Sequence, residues 1–170
     1  VHNCGHRPEA MVKACKDQLD KFIHICVMVS PYESYIKLAE EIAKIMPGKL
    51  EKSIFLNSGS EAIENALKIA RSYNKKKWII SYKTSFHGRT FMDISLTAKE
   101  KPYRDGFHPL MPYVQHVDYA YCYRCPLGLK HPGCDLACAD TIRTIVETAP
   151  LAGDVCALVM EPVEGEGGFI

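Results

Sequence analysis

The sequence predicts an α/β fold: a sheet with helices on both faces. Three observations carry this. Helical patterns alternate with short strand-like runs along the chain. The runs at 78–82, interrupted only by Ser81, and 157–160 are apolar on both faces, as in strands covered on both sides. A further apolar run, 53–56, leads into a helical pattern through Asn57-Ser58-Gly59-Ser60-Glu61, a strand–turn–helix step.

The elements follow in order. Asn3-Cys4-Gly5-His6-Arg7-Pro8 is a loop, and Pro8 opens a helix over about 9–22, where proline is tolerated. Met11, Val12, Cys15, Leu19, Phe22 and Ile23 form its apolar stripe. Residues 24–30 are apolar and β-branched, too short a run to classify, and Pro31 breaks them. A second helix is expected over about 34–46, ended by Pro47-Gly48. A buried strand is expected at 53–56. The helix after it covers about 59–73, with Ala62, Ile63, Ala66, Leu67, Ile69 and Ala70 on one face. Residues 78–82 read as a strand, 85–90 as a turn, and a short helix runs to about Thr97. Residues 101–112 have no period and contain Pro and Gly. A short strand is expected at 114–117, a loop dense in Tyr and Cys over 119–133, a helix over 136–148, and a strand at 157–160.

Composition narrows the function classes. The 170 residues are 47% apolar and 24% charged, with a formal net charge of +1. No basic stripe points to nucleic acid. No apolar run approaches the roughly 18 residues a membrane helix needs. No signal peptide is visible, so reduced thiols and a cytoplasmic location are expected. The chain starts on Val1 and stops in a Gly-rich turn, so a piece of a longer protein is expected, one that exposes apolar surface and self-associates or needs a partner.

In parallel sheets ligands gather beyond the carboxyl ends of strands. Three segments are expected there: 57–61, 85–90 and 161–168. Ser58 is a good N-cap, and Glu61 stands at capping-box spacing. Gly59 allows close approach to a ligand, and the free N–H groups of the first turn suit a phosphate. The alternative is a capped helix with no ligand. Phe86-His87-Gly88 sets an aromatic ring, fit to stack on a planar cofactor, beside that turn; the alternative is a core Phe next to a surface His. Glu161, Glu164 and Glu166 crowd carboxylates at a strand end and suit a cationic partner; the alternative is a solvated acidic loop. Four of the eight Cys, at 122, 125, 134 and 138, could hold zinc or an iron–sulfur cluster, though their spacing matches no standard finger. Free thiols are the expectation, and no metal is assigned. The histidines, His2 and His6 among them, form no metal set.

These residues resemble the class III aminotransferases, pyridoxal 5′-phosphate (PLP) enzymes of fold type I. The resemblance rests on Asn57-Ser58-Gly59-Ser60-Glu61-Ala62-Ile63-Glu64-Asn65-Ala66, Phe86-His87-Gly88-Arg89-Thr90, Pro102-Tyr103, Pro109-Leu110-Met111-Pro112, and Glu161-Pro162-Val163-Glu164-Gly165-Glu166-Gly167-Gly168. It implies the large domain of that fold, a mixed, mostly parallel sheet with helices on both faces, incomplete here: an N-terminal helical segment over 1–50, then the first part of the PLP-binding domain over 51–170. It implies that Gly59 and Ser60 bind the cofactor phosphate, Phe86 stacks on its ring, His87 neighbours it, and Glu161 organises the site. Glu166 matches a carboxylate that, in members acting on ω-amino acids such as 4-aminobutyrate, pairs with an Arg far downstream. Glu164 stands where the family often has Gln. The family's Schiff-base Lys and the Asp facing the pyridine nitrogen would lie past Ile170. No residue here is therefore assigned as catalytic, and the piece alone is expected to be inactive. The resemblance further implies an amino acid and a 2-oxo acid as substrates, and a homodimer. Two alternatives stay open: a racemase or aminomutase on the same scaffold, and a non-catalytic metal-binding module built on the 122–138 loop.

Overall fold

The structure is a computed structural model in which residues 3–148 and 150–170 are described, so His2 lies outside them. The chain divides into two compact units, one ending at Phe55 and the other spanning Leu56–Ile170.

The first unit holds α1 (Glu9–Leu19) and α2 (Glu33–Ile45), neither of which buries a residue. Pro8 is the N-cap of α1, and its carbonyl accepts the Val12 N–H. The helix ends short of Phe22 because Lys21 and Phe22 both donate to the Gln18 carbonyl, which closes a turn. Residues 27–30 are also turned, with Val29 and Ser30 donating to the Cys26 carbonyl. Edge-to-face rings link Phe22 to Tyr32, Tyr32 to Tyr35 and Tyr35 to Phe55.

The strand expected at 53–56 is absent. These residues form no sheet ladder, and Ile54 is 60% exposed. An apolar run becomes a strand only where another backbone pairs with it. Here the one bond recorded for these four backbone N–H groups runs from Phe55 to the Tyr35 hydroxyl.

The second unit is built on β1 (Trp78–Tyr82), with β2 (Val114–Val117) and β3 (Val155–Val159) on either side, all parallel, in the order β2-β1-β3. Successive side chains of β1 point to opposite faces. Ile79 packs with Leu67 of α3 (Gly59–Asn74) and with Met92 and Leu96 of α4 (Phe91–Leu96). Ile80 and Tyr82 pack on the other face with Val117, Leu151 and, from α5 (Ala137–Glu147), Ile142, Ile145 and Val146. The central strand is therefore covered on both sides, as its largely apolar run predicts. The third strand is not: β3 is an edge of this sheet, and Leu158 stays 45% exposed. It also begins two residues before the expected position, through a bulge between Trp78 and Ile79 of its neighbour. Among the described residues no helix is long and apolar enough to cross a membrane.

Candidate functional site

The N-terminus of α3 is built as its sequence predicts, with one shift. Ser58 is extended, and its Oγ accepts the Glu61 N–H at 3.2 Å. Glu61 reaches back not to Ser58 but one residue further, to the Asn57 N–H at 2.7 Å. The N–H groups of Gly59 and Ser60 keep no partner among the described residues, at the positive end of a 16-residue helix. A Cβ built on Gly59 meets nothing within 4 Å. Its missing side chain is thus not required by packing in this chain; it leaves room for something to approach.

Beyond β1 the chain turns through 85–90, and the turn is pinned from two sides. Glu161, beyond the end of β3, accepts the Phe86 N–H on Oε1 at 2.7 Å and the Gly165 N–H on Oε2 at 3.2 Å. Gly88 has a φ of +139°, in the region that favours glycine, and a Cβ there would come within 3.0 Å of Ser60 Oγ and the Asp93 carboxyl. The turn therefore lies directly over the α3 N-terminus. His87 feels both Glu161 and Asp93; burial pushes its pKa down, so it is neutral at pH 7, and its Nε2 is buried without a partner. The Phe86 ring leans on Tyr103, centroids 5.0 Å apart and planes tilted by 50°. Gly59, Ser60, Phe86, His87 and Glu161 thus come together at one rim of the sheet.

The three glutamates expected as one acidic cluster take different partners, although Glu161 and Glu164 stay near enough to feel each other's charge. Glu161 is occupied by backbone N–H groups. Glu164 is fully buried, accepts a short hydrogen bond from the Thr84 hydroxyl, and is held above the usual carboxylate range by burial. Glu166 alone meets a cation: its Oε1 is 2.9 Å from Lys99 Nζ, and the Tyr103 hydroxyl bonds it too. These partners hold Glu166 below the usual range.

Sequence reasoning passed over Asp93. It is fully buried in α4, among the apolar residues Met92, Ile94 and Leu96. One charge inside a short apolar helix was the available signal. Its carboxyl stands beside the Ser60 and Thr90 hydroxyls, yet neither oxygen makes a hydrogen bond of good geometry. Burial raises its pKa. Lys99 and Thr84 were missed as well, because their partners are distant in sequence.

The thiols of Cys122, Cys125, Cys134 and Cys138 are free and line one apolar hollow with Leu127 and Leu136. Among the described residues, no three His, Cys, Asp or Glu side chains converge closely enough to hold a metal ion.

A family model described as aminotransferase class-III matches residues 1–170. The chain belongs to the class-III aminotransferases. The match takes in the Cys loop, so that loop is part of an aminotransferase chain rather than a module of its own. A relative from Bacillus subtilis (strain 168), named probable 4-aminobutyrate aminotransferase, is 43% identical over 169 residues, covering 99% of this chain and 39% of that protein. A leucine/methionine racemase from Thermococcus litoralis is 35% identical over 170 residues, covering 100% of this chain and 38% of that one. The crystal structure of an amine transaminase from an uncultivated Pseudomonas species, in its PLP-bound form, superposes with a TM-score of 0.78 at 26% identity, covering 98% of this chain and 39% of that one. The chain thus spans about two fifths of the length of these relatives. Within this class-III chain, the turn over α3 and the Glu161 tether are the features fit to hold a flat, anionic cofactor. Two unpartnered N–H groups, the open space at Gly59 and the neutral His87 are compatible with it.

Proposed function

We propose that the full-length protein moves the amino group of an ω-amino acid, such as 4-aminobutyrate, to a 2-oxo acid such as 2-oxoglutarate, with pyridoxal 5′-phosphate as cofactor. One observation carries this beyond family membership: the Gly59–Ser60 turn, Phe86-His87 and Glu161 meet at one rim. When bound, the cofactor supplies the electron sink for the amine carbon. The residues here do the holding. Gly59 and Ser60 offer N–H groups and a hydroxyl to the phosphate. Phe86 offers a ring face to the pyridine, and Glu161 fixes the height of that ring through the Phe86 N–H. The Schiff-base Lys is expected downstream of Ile170, so the piece alone would be inactive. The N-terminal segment over 1–50 leads into the large domain over 51–170 in this proposal, and a cytoplasmic homodimer completes it.

Glu166 is proposed to gate the substrate end. By the family resemblance, its carboxylate pairs with a downstream Arg; the pair closes for an amine-bearing substrate end and opens for the carboxylate of glutamate. Within this chain Lys99 is the cation that Glu166 meets. Glu166→Ala is therefore expected to slow the 4-aminobutyrate half-reaction by about tenfold or more, roughly one charge-assisted hydrogen bond, and to spare the glutamate half-reaction. Single-turnover rates for each half-reaction measure this; equal losses would remove the gate.

The racemase relative supports a second reading, inversion of a single amino acid on the same scaffold. Incubating full-length protein with 4-aminobutyrate and 2-oxoglutarate separates the two. Glutamate in the product supports transamination. Its absence, with loss of optical rotation from one amino acid, supports the racemase.

A further inference from the structure

We propose that Asp93 is a positioning residue that, in its neutral form, turns the Ser60 hydroxyl toward the cofactor phosphate. The proposal rests on the phosphate assignment made under Proposed function.

Proton counting leads there. Ser60 has one hydroxyl proton to give. If Asp93 is ionised, its oxygens accept only, so the Ser60 proton is drawn to the carboxylate. The Ser60 oxygen then meets the phosphate with lone pairs alone. A second, fully buried anion would also face the phosphate across a short gap of low dielectric. If Asp93 is protonated, both problems vanish. Its O–H donates to Ser60 Oγ, and the Ser60 O–H donates onward to the phosphate. No bond to carbon changes; where pH exceeds the Asp93 pKa, one proton is taken from solvent when the anion arrives.

The surroundings favour the neutral form. Glu64, on α3, faces Asp93 and raises its pKa. That glutamate is itself held by the Thr90 hydroxyl at 2.6 Å and the Met92 N–H at 3.3 Å. From the turn after β1, His87 is neutral and supplies no compensating charge, and Glu161 acts on that same imidazole. The Ser60 and Thr90 hydroxyls favour the charged form, but less strongly than burial opposes it. Among the described residues no lysine or arginine pairs with Asp93. Asp93 is also in place to do this without strain: glycine at 88 leaves the opening through which its carboxyl and Ser60 approach each other.

The test compares wild-type full-length protein with Asp93→Asn, whose amide keeps a donor but cannot ionise. Apoprotein is titrated with pyridoxal phosphate across pH. Dividing one profile by the other removes the titration of the phosphate itself. Wild-type affinity should fall by about tenfold per pH unit once pH exceeds the Asp93 pKa, since the neutral form binds. Asp93→Asn should lack that fall and bind as tightly as wild type at low pH. Superimposable profiles would overturn the proposal. Infrared difference spectra between cofactor-bound wild type and cofactor-bound Asp93→Asn give a second reading: a carboxylic-acid band lost in the variant supports it, and loss of a carboxylate band instead overturns it. Failure of both proteins to take up pyridoxal phosphate at any pH would instead strike the phosphate assignment, and this proposal with it.

Discussion

A double variant of the full-length protein, Gly59→Val with Ser60→Ala, is expected to hold pyridoxal phosphate at least about 100-fold more weakly. The figure corresponds to losing about 3 kcal/mol, one charge-assisted hydrogen bond plus obstruction of its neighbours. The fold should survive. A side chain at 59 enters open space, and α3 keeps its Ser58 and Glu61 caps. Dialysis followed by absorbance of the retained cofactor measures the effect, with circular dichroism as the control for folding. Unchanged retention would mean that the α3 N-terminus holds no phosphate.

The second large effect is on stability. Gly88→Ala is expected to destabilise by about 3 kcal/mol or more, because two penalties combine at one atom. The backbone φ of +139° is unfavourable for any L side chain, and the new methyl would drive into the Asp93 carboxyl and Ser60 hydroxyl. Gly128→Ala separates these penalties. Its φ is +69°, and nothing stands within 4 Å, so only backbone strain remains, about 1 kcal/mol. Urea unfolding of both variants compares them. Equal losses would show that the turn yields at Gly88, and that Ser60 and Asp93 are not held against it.

What the sequence made legible was whatever depends on neighbours along the chain. β1 and β2 fall on the predicted residues, and α3 is one residue longer than expected. Ser58 caps Glu61 because a cap is decided within four residues. The run at 53–56 shows the limit: its apolar character is local, but a strand needs a partner that composition cannot name. β3 shows the same limit in milder form, because only the sheet order makes it an edge. At the site, the residue types and their meeting place could be read, and their partners could not. Glu161 binds Phe86 from 75 residues away, Glu164 meets Thr84 from 80, and Glu166 meets Lys99 from 67. Seen in sequence, these carboxylates looked like one cluster because they lie within six residues. In space Glu161 and Glu164 both hold the turn at 84–86, and Glu166 turns away to Lys99. Asp93 escaped notice for the opposite reason, a single acid without a motif around it.

The Glu161 carboxylate has one oxygen in each of two separate turns. Whatever presses on the Phe86 ring must also tug on Gly165, and through it on Glu166 one residue along. Loading of the flat face and readiness of the gate would then be mechanically ganged, like two shutters on a common rod. The amide protons of Phe86 and Gly165 should consequently exchange with solvent in concert, slowing together when the ring is covered.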